Sequence, residues 1–167
     1  QAAEIRLGHT NWLTVGEPYD AARDSIVHAQ FNAAYSFARA LRDGVVSLAS
    51  YQRPAITDST VVALAARTVV VSDPGIEASA IEPAHVRVTL AGGRTVEAQR
   101  DTIKGSPQEP LTDDELLGKF RGCLEFGLGA SPAQADRLAA AVRDLEATQD
   151  AAAALLAAFP EASARPA

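Results

Sequence analysis

Methionine is absent from this sequence, cysteine and tryptophan occur once each, and aromatic residues make up only 5% of it. The lone cysteine, Cys123, excludes an internal disulfide and points to a reducing compartment, with the cytoplasm as the default. With so few aromatic rings among 47% hydrophobic residues, the expected core is aliphatic and rich in alanine. Lysine and arginine are scattered and the net charge is −6, so no basic patch exists to follow a phosphate backbone, and nucleic acid is not an expected partner. The longest apolar run, near Ala151–Phe159, is far short of a bilayer span, and no signal-peptide pattern opens the sequence, so no membrane association is expected. The three histidines lie far apart, and no HxxxH, CxxC, GxGxxG, P-loop or GxSxG spacing occurs. No metal or cofactor is therefore expected. Because Gln1 stands where an initiator methionine would, the 167 residues read as a processed, truncated or separately encoded part of something larger.

The informative stretch runs from His85 to Phe120. Val86, Val88 and Leu90 alternate with Arg87 and Thr89, and Thr95, Glu97 and Gln99 alternate with Val96 and Ala98. A period of two marks half-buried strands, and Ala91-Gly92-Gly93 between them supplies residues that accept positive φ in a hairpin turn. Lys104, Gly105, Pro107 and Pro110 then make residues 101–111 too stiff and too interrupted for either regular element. Thr112 and Glu115 form a capping box, with Asp113 and Asp114 complementing the dipole of the helix they open. Elsewhere the patterns predict a first strand at 4–8, a loop at 11–18 and one helix from Ala21 to Asp43 closed by Gly44. A helical turn near 46–51, a short helix capped by Asp58 or Ser59 and a buried strand at 68–72 follow. Helices from 113 to about 126, from Ser131-Pro132, and from 150 to 159 complete the chain. Together these predict an α+β two-layer sandwich, a small mostly antiparallel sheet packed against helices with a helical C-terminal segment. The expected organisation is one domain over 1–159, its helical extension at 113–159, and a loose tail at 160–167.

Lys104-Gly105-x-Pro107-x-x-Pro110-Leu111-Thr112-x-x-Glu115-Leu116-x-x-Lys119-Phe120 resembles the C-terminal part of the MmgE/PrpD family. That family includes relatives of 2-methylcitrate dehydratase, cis-aconitate decarboxylase and iminodisuccinate epimerase. A second matching segment is Ala29-Gln30-Phe31-Asn32-Ala33-Ala34-Tyr35 with Ala40-Leu41-x-Asp43-Gly44, where the family typically has serine in place of Asn32. The likeness covers roughly residues 3–158. It implies the smaller domain of a cofactor-independent lyase acting on a small polycarboxylate, closing one side of an active-site cleft. It also implies a homodimeric full-length enzyme whose larger helical N-terminal domain, absent from this sequence, carries most of the catalytic groups. An epimerase or isomerase of a related dicarboxylate is the alternative within the family, and a non-catalytic module binding a partner chain is the alternative outside catalysis.

Asp24, His28, Asn32, Tyr35 and Arg39 are spaced by four, four, three and four, which would align them on one face of a helix over 21–43. A narrow polar stripe on an otherwise apolar helix faces either solvent or a water-filled cleft. Tyr35 matches the tyrosine of the family's Ala-x-Phe-Ser-x-x-Tyr segment, so the resemblance makes it the catalytic candidate, as a hydrogen-bond donor to a substrate carboxylate or a weak acid. A core tyrosine with its hydroxyl tied to backbone fits the same position. Lys104 is the substrate-binding candidate, a cation for a carboxylate or a neighbouring domain, and a solvated turn lysine fits there too. His28 reads as a helix-surface residue, His9 and His85 as structural or exposed, and Cys123 as a small core residue.

Overall fold

The computed structural model describes residues 2–160. Apart from Pro160, the tail expected at 160–167 lies outside the described residues. The chain divides into two compact units, Gln1–Glu109 and Pro110–Ala167.

The first unit is built on a four-stranded mixed sheet in the order β2-β1-β3-β4, with β1 Ala2–Leu7, β2 Thr68–Ser72, β3 Ala84–Thr89 and β4 Thr95–Arg100. β1 pairs with β2 in parallel, whereas β1–β3 and β3–β4 are antiparallel. The hairpin forms as its alternation predicts, and Gly92 and Gly93 turn it at φ +91° and +82°. Ile5 pairs with Val70 on one side and Val86 on the other, which puts all three on the same face of the sheet. Two helices, α3 (Ala33–Asp43) and α5 (Ser59–Ala65), pack against each other and carry the core over the β2 side of that face. Ala34, Tyr35 and Ala38 from α3 meet Ile56, Val61 and Ala65, with Val70 packed against the cluster. The alanines keep the α3 backbone close to its neighbours, which is how so aliphatic a sequence closes a core. The α+β class follows from these elements.

Three local expectations are corrected. Residues 11–18 are not all loop: His9–Val15 forms α1, and its Trp12 indole N–H donates to the Val70 carbonyl at 3.2 Å, across the edge of β2. Gly8, just before it, comes so close to the 77–80 backbone that a Cβ would lie 2.5 Å from the Ala80 carbonyl oxygen. The strand at 68–72 is an edge strand, and Val69 is 59% exposed, because only alternate residues face the helices. The helix expected over 21–43 is broken into a 3₁₀ turn at Ala21–Arg23, α2 at Ile26–Gln30 and α3. Asp20, Ser25 and Asn32 each turn a side-chain oxygen to a backbone N–H two or three residues on. Such local acceptors restart a helix instead of continuing it. The remaining helix of this unit, α4, is Arg53–Ile56, preceded by a 3₁₀ turn at Leu48–Tyr51.

The second unit is helical: α6 Asp113–Leu128, α7 Pro132–Arg143 and α8 Ala151–Ala158. Thr112 and Glu115 close the expected capping box on α6, and Ser131 and Gln134 close another on α7. Arg121 reaches Asp136 across the α6–α7 pair at 2.6 Å. Cys123, about 200° further round α6 by helical geometry, is exposed and not the core residue its apolar neighbours suggested.

Candidate functional site

The residues singled out in the 21–43 segment do not share one helix face, yet most of them meet in one cluster. Asn32 is buried at the start of α3, where its Oδ1 accepts the Tyr35 N–H at 2.9 Å and its Nδ2 donates to the Glu17 carbonyl at 2.6 Å. Tyr35 has no exposed surface, and its hydroxyl donates to the Ser50 carbonyl. The Tyr19 ring lies against it, centroids 4.6 Å apart, and His28 stacks on Tyr19 at 5.2 Å and 5°. Tyr51 closes the other side of Tyr35 at 5.9 Å, with its own hydroxyl sharing a hydrogen bond with Ser36. The result is a row of four rings drawn from a loop, two helices and a 3₁₀ turn.

Burial pushes the Tyr35 phenol up to about 12, with the nearby Arg39 guanidinium opposing the shift. The Tyr19 phenol is also raised, by burial and by Asp20 and Asp24, and its hydroxyl donates to the Ile56 carbonyl at 2.7 Å. Both phenols are therefore neutral hydrogen-bond donors near pH 7, and both protons are already given to backbone carbonyls. For Tyr35 to donate to a bound carboxylate, its bond to Ser50 must open. Arg39 contributes a nearly buried cation: Nη2 reaches Asp43 at 2.5 Å, and the Nε–H is buried without an acceptor. Asp24 is itself paired with Arg53.

Lys104 is exposed in a loop that the sequence is built to tighten. Gly105, at φ +97°, donates its N–H to the Glu109 carbonyl at 2.7 Å, and the Glu109 carboxylate accepts from the Thr102 hydroxyl at 3.1 Å. Tyr35 and Lys104 thus sit in different settings within the first unit, one sealed in the core and one on a hydrogen-bonded surface loop. Tyr19, Glu17 and Ser50 had no sequence signal, since none lies on a periodic pattern with Tyr35. Among the described residues, no group of three or more His, Cys, Asp or Glu side chains is placed to hold a metal ion.

The sequence matches the MmgE/PrpD C-terminal domain over residues 1–145. The chain belongs to the MmgE/PrpD family. The match takes in both motif segments, from the Tyr35 helix to the capped start of α6, and extends through α7. As a C-terminal domain of that family, the chain implies an N-terminal partner domain, and no helix among the described residues is long and apolar enough to cross a membrane. No curated protein is similar enough to the chain to match it.

Proposed function

We propose that this chain is the smaller domain of a cofactor-independent MmgE/PrpD lyase that acts on a small polycarboxylate of the 2-methylcitrate kind. The observation that carries this reading is the family match over residues 1–145. Dehydration next to a carboxylate needs a general base, a general acid and donors or cations to hold the carboxylates. Here the N-terminal helical domain would supply proton abstraction, and this chain would close the cleft in a cytoplasmic homodimer. Lys104 would bind a substrate carboxylate from its surface loop. Tyr35 would donate its hydroxyl to substrate after leaving Ser50. The test is to assay 2-methylcitrate dehydration by the chain joined to its N-terminal domain, and then by Tyr35→Phe and Lys104→Ala. Loss of turnover with Tyr35→Phe and a raised KM with Lys104→Ala are expected. Wild-type kinetics in both would remove these residues from the site.

One observation favours a second reading, a non-catalytic module that binds a partner chain. Tyr35 is wholly buried with its hydroxyl already committed, as a purely structural tyrosine would be. Turnover of neither a tricarboxylate nor a related dicarboxylate by the joined protein, with a stable complex still formed, would favour that reading over both the lyase and an epimerase.

A further inference from the structure

Residues 17–24 form a strap that crosses α2, the start of α3 and α4. Its four anchors are distinct in chemistry. The Glu17 carbonyl accepts from Asn32 Nδ2, the Tyr19 hydroxyl donates to the Ile56 carbonyl, Asp24 pairs with Arg53, and the Asp20 N–H donates to His28 Nε2 at 3.1 Å. Only the last is made to a histidine, the residue type whose ordinary charge change falls between about pH 5 and 8.

The His28 side chain is 9% exposed, with one ring face covered by Tyr19. Because Nε2 accepts a backbone N–H, the neutral ring carries its proton on Nδ1, facing the Glu17 carboxylate at 4.0 Å. Arg23 Nη1, 3.4 Å from Nδ1, cannot then be a hydrogen-bond partner and stands as a second cation beside the ring. Glu17 and Arg23 are themselves paired. Asp20 lies on the strap, the Asp24–Arg53 pair links it to α4, and Tyr19, Tyr35 and Tyr51 continue the ring row beyond. Asp24, which ends the 21–23 turn, holds φ +43°, the one positive value at a non-glycine residue among those described.

We propose that His28 is the latch of a proton-released strap: a second proton, placed on Nε2, converts the acceptor of the Asp20 amide into a donor, and residues 17–24 lift from α2. Glu17 can hold the imidazolium by charge, but it cannot replace the acceptor lost at Nε2. Lifting the strap moves the Tyr19 ring from the face of Tyr35, so a proton taken up at His28 alters access to the buried phenol. The latch would operate whether or not the domain takes part in lyase chemistry.

The test is an NMR titration of the chain from about pH 8 to about pH 5, following the His28 ring carbons, the Asp20 amide and the Tyr19–His28 ring contact. The expected result is that the Asp20 amide proton shifts upfield with the midpoint of the His28 ring, and the ring contact weakens roughly tenfold or more. In His28→Gln, whose side-chain oxygen accepts at every pH, the Asp20 amide should hold its position throughout. An Asp20 amide and a Tyr19–His28 contact that stay fixed while His28 itself titrates would overturn the latch, and this outcome is read on the unaltered chain.

Discussion

The Tyr35 hydroxyl donates to the Ser50 carbonyl from a position with no exposed surface, tying the first turn of α3 to the 48–51 turn. Tyr35→Phe keeps the ring and leaves that carbonyl buried without its donor. The expected cost is about 1–3 kcal/mol of stability, read by urea denaturation followed by tyrosine fluorescence. A cost near zero would mean that water or another donor reaches Ser50.

The same phenol sets an alkaline limit. Its folded-state value is raised to about 12 by burial, above the ordinary phenol value near 10. The neutral form is therefore favoured by folding, and its contribution is complete below about pH 10 and lost as pH rises through about 12. Wild type should lose stability over that window, and Tyr35→Phe should show a shallower loss in the same denaturation series.

Asn32 serves two segments at once, capping α3 and holding the Glu17 carbonyl. Asn32→Ala removes both and should cost about 2 kcal/mol, while Asn32→Ser keeps a cap and should recover roughly half. Thermal unfolding of the three proteins ranks them. Equal stability of the serine and alanine variants would show that the Glu17 bond carries the effect.

Asp58 caps α5 through the N–H groups of Thr60 and Val61 and pairs with Arg42. The hydrogen bond from Arg42 comes first among the causes that hold its carboxyl below the usual range. The resulting stabilisation is present above about pH 4 and fades as pH falls through the depressed folded value. Asp58→Asn should flatten the acid limb of the stability curve, and added salt should shrink the difference, because the pair is partly exposed. Identical acid limbs would discard this account.

Packing separates core from surface more sharply. Ile56 is fully buried, and Ile56→Ala should cost roughly 2–5 kcal/mol, whereas Leu156→Ala, at a residue 79% exposed, should stay within about 0.5 kcal/mol. Paired denaturation curves decide it. A small loss at Ile56 would mean that the α3–α5 core collapses around the gap.

Local chemistry was legible along the chain, because caps, glycine turns and alternation act between residues a few positions apart. The hairpin turned by Gly92 and Gly93, the Thr112–Glu115 box, the Ser131-Pro132 start and the cap at Asp58 could all be read from neighbouring residues, as could the family resemblance that the match over residues 1–145 supports. Those contacts close over a few bonds, so few alternatives compete with them.

Longer-range pairing was decided by the tertiary structure. Parallel pairing of β1 with β2 joins Ala3 to Thr68 across the intervening helices, and nothing in either strand's own alternation names its partner. Trp12 makes a helix of an apparent loop by reaching Val70, and Asn32 ends one helix and begins another by bonding Tyr35 and Glu17. The polar line from Asp24 to Arg39 follows a helical period that two side-chain caps, Ser25 and Asn32, interrupt, so the spacing is present in the sequence but the continuous helix is not. Residue type made Tyr35 a candidate for chemistry. Only the packing of Tyr19, Tyr51 and Ser50 around it determined that its hydroxyl points inward, because burial is a property of the residues that surround a side chain and not of the side chain itself.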